Sequence, residues 1–157
     1  MTWIREKIKI PTTIKPSERV KMAEMIINVI INRSVAGIDK NNKKFPKYSK
    51  EYAEKKGVGV NDVDLILSGE MLESIQLLSH KSGEITIGFD KSDQELNGKA
   101  EGNILGSYGG EPSRKKARDF LGIPQDEVDI LAESSNDLAD LSPEEIRLLA
   151  EDLLGDV

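Results

Sequence analysis

The stretch SERVKMAEMIINVIINR, residues 17–33, constrains the fold more than any other part of the chain. Its apolar residues recur at helical spacing. Val20, Ala23, Ile27, Ile30 and Ile31 make one face, and Met22, Met25 and Ile26 widen it. A helix this apolar needs cover on more than one side. Lys15-Pro16-Ser17-Glu18 reads as its start, with Ser17 at the N-cap or Pro16 in the first turn, and Val35-Ala36-Gly37 closes it. Aromatic residues are only 4% of the chain and hydrophobic residues 38%, so the cover must come from a small set of Ile, Leu and Val.

Two regions offer strands. In WIREKIKI, residues 3–10, apolar and charged residues alternate, as in a half-buried strand or an extended arm. Gln76–Ser79 and Glu84–Phe89 read as a hairpin turning at His80-Lys81-Ser82-Gly83. Ile85, Ile87 and Phe89 lie on its buried face, with Glu84, Thr86 and Gly88 opposite.

The remaining elements are short. Ser49 caps a helix over 50–56, and Leu65-Ile66-Leu67 is an apolar run. Ser68 caps a helix over 69–75 that turns Met71, Leu72 and Ile75 inward. Residues 90–113 are loop-like, with a short helix around 99–105. Phe120 to Ile123 is a brief strand or extended piece, and Pro124 opens a helix to about Glu133. Residues 134–140 read as a polar linker. Ser142 and Glu145 form a capping box for a last helix with Ile146, Leu149, Ala150 and Leu153 on its apolar face.

The expected fold is α+β: a long N-terminal helix packed on a small antiparallel sheet with a β-hairpin, then long loops and C-terminal helices. Residues 1–133 would form the domain with its N-terminal arm. Residues 134–157 would add a linker and an acidic amphipathic helix.

Charge is unevenly spread. Residues 1–60 hold 14 Lys/Arg against 6 Asp/Glu, residues 61–123 hold 7 against 11, and residues 124–157 hold 1 against 11. The two ends can neutralise each other within one fold or meet between copies, head to tail. Alternatively, the basic end can bind nucleic acid.

Chemistry is sparse. The absence of cysteine excludes disulfides, thiolate metal sites and cysteine nucleophiles. MTWIREKIKI is charged throughout and lacks the apolar centre of a secretory signal. No apolar run approaches the roughly 20 residues that span a bilayer. His80 is the only histidine and reads as a solvated turn residue. The acidic groups Asp62 with Asp64, and Asp90 with Asp93 and Glu95, lack calcium-loop spacing. Gly102–Gly110 misses both phosphate-loop spacings, and Ser113-Arg114-Lys115-Lys116 matches S-x-x-K without its companion motifs. Arg114, Lys115, Lys116 and Arg118 are too few, and too closely flanked by Glu111 and Asp119, for strong duplex binding. No nucleophile, base and orienting group can be assembled, so no catalytic residue, metal site or cofactor is expected.

Five segments, in order, resemble a known group. They are Asp39…Lys44-Phe45-Pro46-Lys47-Tyr48-Ser49…Tyr52-Ala53…Lys56-Gly57, Leu65-Ile66-Leu67-Ser68-Gly69-Glu70-Met71-Leu72-Glu73-Ser74-Ile75, Ile85-Thr86-Ile87-Gly88-Phe89, Lys99-Ala100-Glu101-Gly102-Asn103 and Arg118-Asp119-Phe120-Leu121-Gly122-Ile123. Together they cover about residues 37–132 and are similar to the virion morphogenesis proteins of tailed phages, the neck or tail-completion group. The resemblance implies a structural protein of the head–tail junction, made in the host cytoplasm and working as a six-fold or twelve-fold ring. Its neighbours would be portal, adaptor or stopper proteins and the tail terminator or tail tube. Genome DNA would pass through without sequence-specific binding, and no membrane would be involved. Ser68, Gly69, Met71, Leu72, Phe120, Leu121, Gly122 and Ile123 would be structural. Arg114, Lys115, Lys116, Arg118, Tyr108, Lys43, Lys44, Asp126 and Glu127 would face neighbouring subunits. The arm 1–12 and the loop 102–113 would order on assembly. The alternatives are a tail terminator or minor tail component and, from another class, a nucleic-acid-binding module using the basic N-terminal half.

Overall fold

The computed structural model describes residues 2–46, 69–107 and 117–155, together with Glu54. The fold is α+β, with a three-stranded antiparallel sheet and helices. Strand β1 is Arg5–Lys9, helix α1 is Pro16–Val35 and helix α2 is Gly69–Glu73. Strands β2 and β3 are Gln76–Lys81 and Glu84–Gly88. Helices α3, α4, α5 and α6 are Gln94–Leu105, Gln125–Glu133, Ser135–Ala139 and Pro143–Gly155. Apart from Glu54, which is helical, the expected helix at 50–56 and the run at 65–67 lie outside the described residues.

The sheet order is β1-β3-β2. Ile8 pairs with Ile85 and Glu6 with Ile87, which brings the isoleucines to one side. β1 is therefore a built-in edge strand within the single chain, where an arm ordering only on assembly was expected. The β2–β3 turn is tighter than expected. Only Ser82 and Gly83 separate the strands, Gly83 has a φ of +83°, and His80 and Lys81 belong to β2. A bulge between Leu77 and Ser79 shifts the register by one residue. β3 is central, and Thr86 is buried along with Ile85 and Ile87, so burial is not confined to one face.

Pro16, not Ser17, opens α1. Lys15 is the N-cap, and its N–H donates to Glu18 Oε2 at 3.5 Å. The deepest residues of α1 are Met22, Ala23, Met25, Ile26, Val29 and Ile30, while Ile27 and Ile31 are only partly buried. The buried face is rotated from the expected one because the apolar band is too wide for periodicity to fix its centre. α1 packs against β2 and β3 and also against α5 and α6, whose principal contacts are with α1 rather than the sheet. Burying several of these large side chains stabilises the fold by about 1.5–3 kcal/mol each.

Three further expectations are corrected. α3 starts at Gln94 rather than near Lys99, because Asp93 Oδ1 caps it by accepting the Leu96 N–H at 3.0 Å; Gly106, with a φ of +65°, ends it. Gly102 to Leu105 are helical, within the short helix expected around 99–105. Residues 135–139, read as linker, form α5, with Leu138 in the core. Phe120–Ile123, read as a brief strand or extended piece, pairs with no strand among the described residues. The capping box of α6 is present: Glu145 N–H donates to Ser142 Oγ at 3.2 Å and Ser142 N–H to Glu145 Oε1 at 3.3 Å. Ile146 and Ala150 of α6 are fully buried, whereas Leu149 is exposed.

Candidate functional site

The segment 117–127 runs alongside the turn that follows α1. Gly37, with a φ of +81°, ends the helix, and Ile38 bridges to Lys44. Asp39 Oδ1 holds this turn by accepting the N–H groups of Asn41 and Lys43. The turn projects Lys40 and Asn42 toward residues 119–127. Lys40 N–H donates to Asp119 O at 3.0 Å, and its Nζ lies 3.1 Å from Asp119 Oδ2. Gly122, with a φ of +154°, lies against the stem of Lys40; a Cβ there would stand 3.3 Å from Lys40 Cδ. The positive φ, more than the contact with a flexible lysine stem, favours glycine here.

Arg33 and Glu127 form the other half of the site. Arg33 belongs to the buried face of α1 and is 3% exposed. Its Nη1 donates to Glu127 Oε2 at 3.0 Å and its Nη2 donates to Glu127 Oε1, a bidentate pair. Asn42 Nδ2 adds a third donor to Glu127 Oε2 at 2.9 Å. Burial works against the Glu127 charge, but the bonds from Arg33 and Asn42 and the Arg33 charge hold its pKa below the ordinary carboxylate value. Its stabilising contribution is therefore present above the ordinary carboxylate range and is lost as pH falls through the depressed pKa. Burial likewise disfavours charged Lys40, yet the hydrogen bond and charge of Asp119, with Glu6 and Asp39, raise its pKa. Glu6 is raised chiefly by burial, with Lys40 opposing and Asp119 reinforcing the shift.

The residues named from the sequence divide as follows. Lys43 and Lys44 lie in the turn, and Asp126 and Glu127 in the first turn of α4. Glu127 is paired within the chain with Arg33 and Asn42. Phe120 and Leu121 are buried, and Ile123 packs on the core. Met71 and Leu72 are buried in α2, which Gly69 begins. Arg118 N–H donates to Asn103 O at 2.6 Å. Ser68, Tyr108, Arg114, Lys115 and Lys116 lie outside the described residues. His80 is not in a turn: its Nδ1 accepts from Arg19 Nε at 3.0 Å, tying β2 to α1.

Arg33, Lys40, Asn42, Asp119 and Asn97 escaped the sequence reading. Arg33 carried a signal, being a charge in line with Ile26 and Ile30 on a buried stripe. Asn97 carried none. Buried in α3, it accepts the Ile4 N–H on Oδ1 at 2.7 Å and donates to Asp90 O and Asp93 O, clamping the start of β1.

No protein-family model, no curated protein and no solved structure matches this chain.

Proposed function

We propose that this chain is a structural subunit of the head–tail connector of a tailed phage, joining the DNA-filled head to the tail. The reading rests on the ordered resemblance of five segments across about residues 37–132. One feature of the fold supports treating those segments as a unit: three of them converge on Asn103. Its Nδ2 lies 3.9 Å from Met71 Sδ of the second segment, and its carbonyl accepts the Arg118 N–H of the fifth. The glycine of the third segment also has a definite task. A Cβ on Gly88 would lie 2.5 Å from Ile4 O, so glycine lets the start of β1 close on β3.

In this role the protein acts by shape and assembly. A ring needs a heterologous interface that closes on itself, and the acid-rich helices α4 to α6 and the cation-rich N-terminal half supply surfaces of opposite sign. The neighbours are the portal, adaptor or stopper on the head side and the tail terminator or tube on the other. The protein resides in the virion at that junction. Among the described residues, no helix is long and apolar enough to cross a membrane.

Deleting the gene from its phage and imaging the lysate by electron microscopy tests the reading. Separate DNA-filled heads and finished tails are expected. Tails of abnormal length would reassign the protein to tail termination, and normally joined particles would end the connector reading.

A further inference from the structure

We infer that the outward face of the sheet is a docking surface for the phosphate backbone of DNA, without sequence preference. The inference does not depend on the connector reading. It starts from strand register. Arg5, Lys7 and Lys9 alternate with Glu6 and Ile8, and all three are exposed. Their partners across the sheet are Gly88, Thr86 and Glu84, and beyond those Gln76, Ser79 and Lys81. Cross-strand partners share a face. One side of the sheet therefore presents four cations, with the exposed Ser79 hydroxyl and Gln76 amide between them and a single carboxylate, Glu84, while Thr86 at its centre is buried. The Lys81 Nζ lies 3.9 Å from that carboxylate, while the Lys81 side chain remains 75% exposed.

One end of the row meets an aromatic ring. Arg5 stacks over the Trp3 ring at 4.2 Å, and Lys91 Nζ lies 5.4 Å from the same ring. Trp3 is fixed by its own Nε1–H, which donates to Phe89 O at 2.7 Å. Arg5 and Lys91 thus flank a held aromatic ring. With about 3.4 Å per residue, the Arg5–Lys9 row spans about 14 Å, and two strand spacings bring Lys81 to about 10 Å from Lys9. A regular row of cations on a rigid sheet suits a repeating polyanion.

The competing occupant is the acidic helical layer of a second copy. The face itself argues against it. Protein interfaces have an apolar centre and are depleted in lysine, whereas nucleic-acid interfaces are polar and strongly positive. The outward positions of β1 are all cations, and those of β2 are Gln76, Ser79 and Lys81, all exposed. The exposed apolar residues of the closing helices, Leu148 and Leu149, would meet no apolar partner there. Acids border the row at its ends: Gln125 Nε2 donates to both Lys9 O and Asp129 Oδ1, and Glu73, Asp90 and Asp93 line a cavity with Gln76, so the cationic area is confined to the strand row itself. Few contacts make a weak, salt-sensitive grip, compatible with DNA sliding past.

The test is fluorescence anisotropy with a labelled mixed-sequence duplex of about 30 base pairs, titrated between about 50 and 200 mM salt. The full chain is expected to bind with an affinity that falls steeply with salt. The triple variant Lys7→Gln/Lys9→Gln/Lys81→Gln should lose about tenfold or more at the low-salt end, with the log–log salt slope reduced by about 3. Lys7→Gln alone should reduce that slope by about 1, which keeps the test available if the triple variant folds poorly. The variant Arg114→Gln/Lys115→Gln/Lys116→Gln should bind as the parent does. Absence of salt-dependent binding by the parent would overturn the inference. So would loss of binding in the second triple variant but not the first. A first triple variant that dissociates a parent oligomer in sedimentation, with no DNA binding by either protein, would assign the face to a second copy and also overturn it.

Discussion

On the side of the sheet turned toward α1, Ile8, Ile85 and Ile87 are almost wholly buried. On the other side, Arg5, Lys7 and Lys9 stand in solvent beside Gln76, Ser79 and Lys81. The same short strands supply both, because successive residues point in opposite directions. The covered side buries Ile8, Ile85 and Ile87, whereas the other side buries Thr86 and Gly88 of the central strand and leaves its outer strands exposed. Glu6 is the exception that marks the boundary: it is the one charged residue of β1 on the covered side, and burial pushes its carboxyl up.

Substitutions can break this contrast or sharpen it. The largest effect is expected for Ile87→Ala, which empties a fully buried site on the central strand. It should cost about 2–5 kcal/mol in urea unfolding. Next is Gly88→Ala, whose added methyl must displace the backbone at Ile4 and Arg5. It should cost about 1–3 kcal/mol and weaken amide-exchange protection along β1, since it separates the strands that make both faces. Glu6→Gln should act in the opposite direction. A carboxylate whose pKa is raised on folding opposes folding once ionised, so its neutral replacement should stabilise the protein near neutral pH. Partial exposure keeps the gain below about 1 kcal/mol, and it should vanish in thermal melts below the ordinary carboxylate range. The smallest effect on stability belongs to Lys7→Gln, within about 0.5 kcal/mol by the same unfolding measurement.

The legible parts of the fold were those with strong local signals. The α1 period, the β2–β3 alternation and the Ser142–Glu145 box each lie within one element, where short-range chemistry decides. The rotation of α1 was not legible, because Ile27 and Ile31 are as apolar as Ile26 and Ile30; only the sheet and closing helices distinguish them. α3 was masked by Asn97, Gly98, Gly102 and Asn103, which are poor helix formers when isolated. In the fold, the Asn103 amide returns to Lys99 O and the Asn97 amide to Asp93 O. At the candidate site, Asp126 and Glu127 were seen as helix-opening acids. That Glu127 would be claimed by Arg33 depends on contacts between distant parts of the chain, for which no sequence spacing is diagnostic.

The connectivity of the sheet also sets an order of events during synthesis. β2 and β3 are neighbours along the chain and can form a hairpin as soon as both emerge. β1 is made first but must wait for β3, which comes from the middle of the chain. α1 waits longer still, since Ile146 and Ala150, which complete the shared core, lie far downstream of it. A nascent chain therefore carries the band from Met22 to Ile31 incompletely shielded until those residues emerge. That interval exposes it to chaperone capture and premature self-association.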